Sequence, residues 1–123
     1  MKPYRVLVTG SRDWDTGWMI AQELMMATRH LTPGEEAILV HGGCPTGADA
    51  IADRYVKSWG GRIEVHPAKW ELNGKRAGFI RNAYMVSLGA DICLAFIKDG
   101  SRGASHTARL AEEAGIETRR YTA

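Results

Sequence analysis

Short, uninterrupted apolar runs alternate along this chain with segments whose apolar residues recur every three or four positions, and few architectures accept that rhythm. Arg5-Val6-Leu7-Val8-Thr9, Ala37-Ile38-Leu39-Val40 and Asp91-Ile92-Cys93-Leu94-Ala95-Phe96-Ile97 show no alternation of polar and apolar residues, the pattern of strands covered on both faces. Arg62 to His66 adds a further strand that stops at Pro67, and Glu117 to Tyr121 adds an edge strand.

Helical spacing fills the intervals. Thr16 can cap a helix carrying Ile20, Leu24, Ala27 and Leu31, stopped by Pro33-Gly34. Ala48, Ile51, Ala52, Tyr55, Val56 and Trp59 make a clean amphipathic stripe that ends at Gly60-Gly61. Two more helices are expected over Arg76 to Leu88 and Gly103 to Ala114, while Ala68 to Lys75 reads as a loop long enough to act as a lid. Strict strand-helix alternation demands right-handed crossovers onto one sheet. The expectation is an α/β fold, a Rossmann-like doubly wound parallel sheet of about five strands with helices on both faces. With 123 residues the chain makes one such domain, spanning 1–123.

Ligands of doubly wound sheets sit beyond the C-terminal strand edges, where strand order reverses. The turns after the first, second and fourth strands therefore hold the candidates. The first, Thr9-Gly10-Ser11-Arg12-Asp13-Trp14, joins a glycine and a hydroxyl to a guanidinium and an indole. Arg12 can clamp a phosphate and Trp14 can stack on a base; a solvated arginine and a partly buried tryptophan in a plain turn are the other reading. The second, His41-Gly42-Gly43-Cys44-Pro45-Thr46-Gly47-Ala48-Asp49, leads from a buried strand into a helix. Its glycines let backbone amides approach an anion, and Thr46 can cap the helix or donate to the same group. Glycine also serves tight turn geometry alone. The fourth-strand turn, Asp99 to Thr107, repeats the device with Gly103, Ser105 and Thr107.

Arg81 and Asn82 lie near the start of the third long helix. Arg81 shares a stripe with Met85 and Leu88 and so needs an anion or a carboxylate, with Asp49 or Asp91 as structural partners. His41, Cys44, His66 and His106 lack zinc-binding spacing, so no metal is expected, and Cys44 and Cys93 read as reduced thiols. A net charge of +2 gives no field for collecting a phosphate backbone, so nucleic acid is an unfavoured partner. The absence of an apolar leader or a membrane-length apolar stretch makes a cytoplasmic location the expectation, without a membrane partner.

Val8-Thr9-Gly10-Ser11-Arg12, His41-Gly42-Gly43 with Gly47-Ala48-Asp49, Ala68-Lys69-Trp70, Gly78, Arg81-Asn82, Met85, Ala90-Asp91 and Gly103 occur in an order and spacing that resemble the YspA-like (YpsA-related) branch of the SLOG superfamily. The resemblance spans nearly the whole chain. It implies a Rossmann-like fold binding nucleotides or nucleotide-derived ligands, in some members as sensors, with no obligatory cofactor. Relatives include the LOG phosphoribohydrolases and the DNA-processing protein DprA, and homo-oligomers are implied.

In LOG enzymes a glycine-rich turn, an Arg-Lys pair and a GTxxE motif surround a nucleoside monophosphate. The similar positions are Gly42-Gly43, Arg81-Asn82 and Gly103 to Thr107, where Thr107 replaces the motif's glutamate. One expectation is therefore a binding module, in which Gly42, Gly43, Thr46 and Gly47 cradle a phosphate, Gly103 and Ser105 hold another part of the ligand, Arg12 and Arg81 neutralise charge, and Trp14 or Trp70 stacks on the base. The alternative is an N-glycosidase or phosphoribohydrolase in which Arg81 stabilises the phosphoribosyl group and Asp49, Glu71 or Asp13 supplies the acid or base.

Overall fold

The computed structural model describes residues 2–123. The chain runs β1 (Tyr4–Gly10), α1 (Gly17–Thr28), β2 (Ala37–His41), α2 (Gly47–Ser58), β3 (Arg62–Val65), α3 (Trp70–Asn73), a 3-10 turn (Gly74–Arg76), α4 (Ala77–Ser87), β4 (Ile92–Ile97), α5 (Arg102–Glu113) and β5 (Glu117–Thr122). All five strands are parallel, in the order β3-β2-β1-β4-β5. Strand order reverses between β1 and β4, which places the topological switch point there.

The apolar strands supply both cores because successive side chains point to opposite faces. Val6 and Val8 of β1, with Leu39, Ile92, Leu94 and Phe96, pack under Ile20, Leu24, Ala52 and Val56 of α1 and α2. Leu7, Ile38, Val40 and Cys93 point the other way, to Met85, Val86 and Ala111 of α4 and α5, and Ala95 and Ile97 meet Ala104 and Ala108. An uninterrupted apolar strand is thus two interleaved stripes, each with its own pair of helices. No helix among the described residues is long and apolar enough to cross a membrane.

Three local expectations are corrected. The first helix ends at Thr28 rather than passing Leu31, because Thr28 Oγ1 donates back to the Leu24 carbonyl and Leu31 N–H closes a turn on Thr28. Neither Thr16 nor Thr46 caps its helix through the side chain. The stretch expected as a loop at Ala68 to Lys75 contains one turn of α-helix and then a 3-10 turn, knitted by Asn73 N–H and Leu72 N–H donating to the Lys69 carbonyl.

One ion-pair network ties β1 to β3 and to the α4–β4 turn. Arg5 donates to both Glu64 carboxylate oxygens at 3.0 and 2.8 Å and through Nε to the Gly89 carbonyl at 2.9 Å, while His66 Nε2 lies 2.7 Å from Glu64 Oε2. Arg5 and His66, together outweighing partial burial, hold the Glu64 carboxyl at about 2, below its ordinary 4.5. A carboxyl that titrates lower when folded adds stability above its unfolded value, and that contribution disappears as pH falls from about 4.5 toward 2. Solvent screening limits it to about 1 kcal/mol. Glu64→Gln is expected to lower stability at pH 7 by that amount and to leave stability at pH 2 unchanged, measured by urea unfolding at both pH values.

Candidate functional site

The turns after β1, β2 and β4 open on one cavity of about 910 Å³ beside the switch point, and α3, the 3-10 turn and the first part of α4 form its other wall. Gly10, Ser11, Arg12, Gly42 and Gly43 line it, as do Asp49, Trp70, Arg81, Asn82 and Gly103. Trp14, Thr46, Gly47, Glu71, Ser105 and Thr107 do not.

The neighbours of four of these, Trp14, Thr46, Gly47 and Thr107, show why. Trp14 is only 3 % exposed, edge-on to Phe96 at 5.4 Å with its indole N–H given to the Thr16 carbonyl, so it has no face left for a base. Thr107 is wholly buried, and its hydroxyl donates to the Gly103 carbonyl one turn back. A side chain at 107 is therefore enclosed and does not line the cavity. Glu71 lies exposed on α3. Thr46 donates its hydroxyl to the Arg12 carbonyl at 2.9 Å, fastening the second turn to the first. Gly47, at φ +71°, lies where a Cβ would overlap the Ser11 carbonyl oxygen and come 2.6 Å from the Arg12 carbonyl carbon.

The second turn is not the open anion cradle expected of it. Asp49, 7 % exposed, accepts from the amides of Gly42 at 3.2 Å and Cys44 at 3.3 Å, and Gly43 N–H donates to His41 Nδ1 at 3.0 Å. His41 lies 2.7 Å from Asp53 through Nε2, and its partners fix Nε2 as the protonated nitrogen. The protein's own carboxylate thus fills the nest that the glycines build. Burial pushes the Asp49 carboxyl up despite opposing pulls from His41, the Cys44 amide, Arg81 and the Gly42 amide.

Arg81 crosses the cavity floor to this turn. Nη1 donates to the Gly42 carbonyl at 2.6 Å and the His66 carbonyl at 3.3 Å, and Nε donates to Asn82 Oδ1 at 2.8 Å. A Cβ on Gly42 would lie 2.6 Å from the guanidinium carbon, so a glycine is required there for close approach. Neither Asp49 nor Asp91 is a direct ion-pair partner: carbonyl oxygens hold Arg81, and Asp91 accepts from the Arg5 amide. Burial lowers the Arg81 pKa and the Asp49 charge counters that shift.

The opposite rim is less occupied. Ser105 N–H makes the first bond of α5, to the Ser101 carbonyl, so the amides of Arg102, Gly103 and Ala104 precede it with no helical acceptor. Space is open beside Gly103, where a Cβ would meet nothing within 4 Å, and Gly103 and Ala104 line the cavity. Asn82 Nδ2 reaches the Gly103 carbonyl at 3.4 Å and fixes α5 to α4. Ser11 spends its hydroxyl between turns, accepting from Lys98 N–H at 2.7 Å and lying 3.3 Å from the Lys98 carbonyl.

Lys75 and Lys98 line the cavity beside Arg12 and Arg81, against Asp13, Asp49 and Asp99. The four cations outnumber the three carboxyl groups, so positive charge prevails. Lys98 also lies 3.6 Å from Asp15, whereas Arg12 has no ion-pair partner among the described residues and rests 5.9 Å over the Trp70 ring. Lys98 closes an apolar strand and Lys75 sits in the presumed lid, positions that could have marked them in the sequence. No cluster of three or more His, Cys, Asp or Glu able to hold a metal occurs among the described residues.

A family model described as the YspA, cpYpsA-related SLOG family matches residues 4–72, which carry the first two turns and three of the four residues of α3. The chain belongs to the YspA, cpYpsA-related SLOG family. Gene 61 protein of Mycobacterium phage D29 is 46% identical over 123 residues, covering 91% of this chain and 91% of that protein. No solved structure matches. The remaining cavity wall, from Lys75 to Ala104, lies beyond the part that the SLOG model matches.

Proposed function

We propose that this SLOG protein binds a nucleotide or nucleotide-derived ligand in the switch-point cavity and acts in the cytoplasm, as a sensor rather than through a bound cofactor. The observation that carries this reading is the meeting, around one cavity, of the N-terminal end of α5, whose first amides have no helical acceptor, with Arg12, Lys75, Arg81 and Lys98. The amides and the helix dipole favour a phosphate at Gly103, where no side-chain charge must be desolvated. Trp70, half exposed at the mouth, offers a ring face for a base.

A cavity of this size suits a mononucleotide or larger ligand. Titration calorimetry with nucleoside monophosphates, dinucleotides, nucleosides and inorganic phosphate tests the reading: phosphorylated nucleotides should bind and unphosphorylated nucleosides should not. Absence of heat and of thermal stabilisation with every phosphorylated compound overturns it. Gly103→Ala should weaken nucleotide binding at least tenfold, because the new methyl enters the space in front of the α5 amides, while Tm changes by no more than about 2 °C, since alanine is the better helix former.

A second reading, cleavage of an N-glycosidic bond in the same ligand, is favoured by Asp49. It is an acid buried at the cavity wall whose pKa burial raises, the direction that a proton donor requires. Water would add to the anomeric carbon as the base departs with a proton. Base release from nucleoside monophosphates, followed chromatographically, should then fall at least 100-fold in Asp49→Asn with binding retained. Binding without any base release leaves the first reading alone.

A further inference from the structure

On the reading of the cavity as a nucleotide site, we infer that Arg12 and Trp70 form a two-sided clamp for the base, and that the ligand is a purine nucleotide or a derivative of one. The two side chains reach the cavity from opposite walls, Arg12 from the turn after β1 and Trp70 from α3. The Arg12 guanidinium carbon stands over the Trp70 ring, 5.9 Å from its centroid. Planar groups in full contact lie about 3.5–4 Å apart, and a ring attracts a cation out to about 6 Å. Arg12 thus faces the indole at the outer limit of attraction, not in contact with it.

The direction of the Arg12 side chain is informative because of where it starts. Both of its chain neighbours are tied to the turn after β4: Ser11 Oγ accepts from Lys98 N–H at 2.7 Å, and Lys98 Nζ donates to the Asp13 carbonyl at 3.4 Å. That turn leads into the α5 amides, the place assigned to a phosphate. The Arg12 side chain leaves it and crosses to α3. Its main chain is anchored, since Thr46 donates its hydroxyl to the Arg12 carbonyl and Gly47 lies against the same group. The guanidinium has no hydrogen-bond or ion-pair partner among the described residues, so the side chain is fixed at one end and unspent at the other.

Trp70 is the fixed jaw. The Gly74 N–H donates to its carbonyl, and the far edge of its ring lies 3.4 Å from where a Gly78 Cβ would be. A flat base stacked on both sides needs the two planes about 7 Å apart, which a shift of roughly 1 Å by the guanidinium provides. Aromatic rings and guanidinium planes are the groups on which unstacked bases settle, because each offers a flat face. A two-ring indole overlaps a purine more fully than a one-ring pyrimidine, and this sets the preference. Arg12 therefore serves the base, and Lys98, Arg81 and the first α5 amides are left for the phosphate.

Calorimetric titration with adenosine monophosphate, uridine monophosphate and ribose 5-phosphate tests the clamp. Adenosine monophosphate is expected to bind about 30-fold tighter than ribose 5-phosphate, with uridine monophosphate between them. Trp70→Ala should bring adenosine monophosphate to within about threefold of ribose 5-phosphate, while ribose 5-phosphate itself binds as before and so reports an intact fold. Arg12→Ala should weaken adenosine monophosphate about fivefold and leave ribose 5-phosphate nearly unchanged. Arg12→Lys should not restore the loss, because an ammonium keeps the charge and lacks the plane. A loss shared equally by the two compounds in Arg12→Ala would place Arg12 on the phosphate and overturn the clamp, as would full affinity in Arg12→Lys. Equal wild-type affinity for adenosine monophosphate and ribose 5-phosphate would also overturn it, yet leave the phosphate site standing. Failure of every phosphorylated compound to bind would remove both.

Discussion

Gly47→Ala is expected to lower the folding stability of the protein by roughly 3–5 kcal/mol, the sum of a left-handed backbone strain and a backbone overlap. Gly47 sits at φ +71° at the first residue of α2, and its missing Cβ is what allows the turn after β1 to lie against the turn after β2. The overlap is with Ser11 and Arg12 main-chain atoms, which cannot rotate away as a long side chain would. Ala48 N–H donates to the same Ser11 carbonyl, so separating the turns also costs a hydrogen bond. Thermal unfolding should show Tm lower by 10 °C or more. Gly60→Ala, also at positive φ but with no atom within 4 Å of its Cβ, should lose only the strain part, about 1–2 kcal/mol. Equal losses in the two variants would refute the packing role assigned to Gly47.

Arg81→Met should have the largest effect on ligand binding. The substitution keeps much of the apolar stem and removes the donors held by the Gly42 and His66 carbonyls and by Asn82. Hydrogen bonds from a charged group contribute about 1.5–3 kcal/mol each in favourable settings, and losing one to a bound phosphate weakens affinity roughly 100-fold. The neighbouring Asp49 loses its nearby cation, which removes one of the influences lowering its pKa and moves that carboxyl further up. Calorimetric titration with the tightest nucleotide found for the wild type measures the loss. Arg81→Lys should recover little of it, because a single ammonium cannot hold two carbonyls and Asn82 at their separate angles. Wild-type affinity in Arg81→Met would remove Arg81 from the binding machinery.

Much of the architecture was legible because it depends on local periodicity. Uninterrupted apolar runs required strands covered twice, and the structure covers Val6 and Val8 with α1 and α2 while Leu7 faces α4 and α5. Less legible were ends and turns. The one-turn helix at Trp70–Asn73 is too short for a periodic signal, and α1 stops at Thr28 through a side-chain bond that no spacing rule encodes.

The candidate site divides along the same line. The three turns could be named from their place after β1, β2 and β4, because strand order fixes where a doubly wound sheet opens. Which residues face the opening could not. Trp14 and Trp70 both looked able to stack, yet the first fills the core beside Phe96 and the second stands at the cavity mouth.

The sequence alone determined the layered α/β fold, the number of strands and the edge at which the turns gather, since burial periodicity and crossover handedness are properties of the chain read in order. Tertiary structure decided how the polar groups of those turns are spent. Asp49 occupies the amides of Gly42 and Cys44, carbonyls claim Arg81, and the first α5 amides are left without a backbone acceptor. Hydrogen bonds between residues far apart in the chain depend on angles and separations that only the packed molecule sets, so the same glycine-rich spelling yields a filled nest after β2 and an open one after β4.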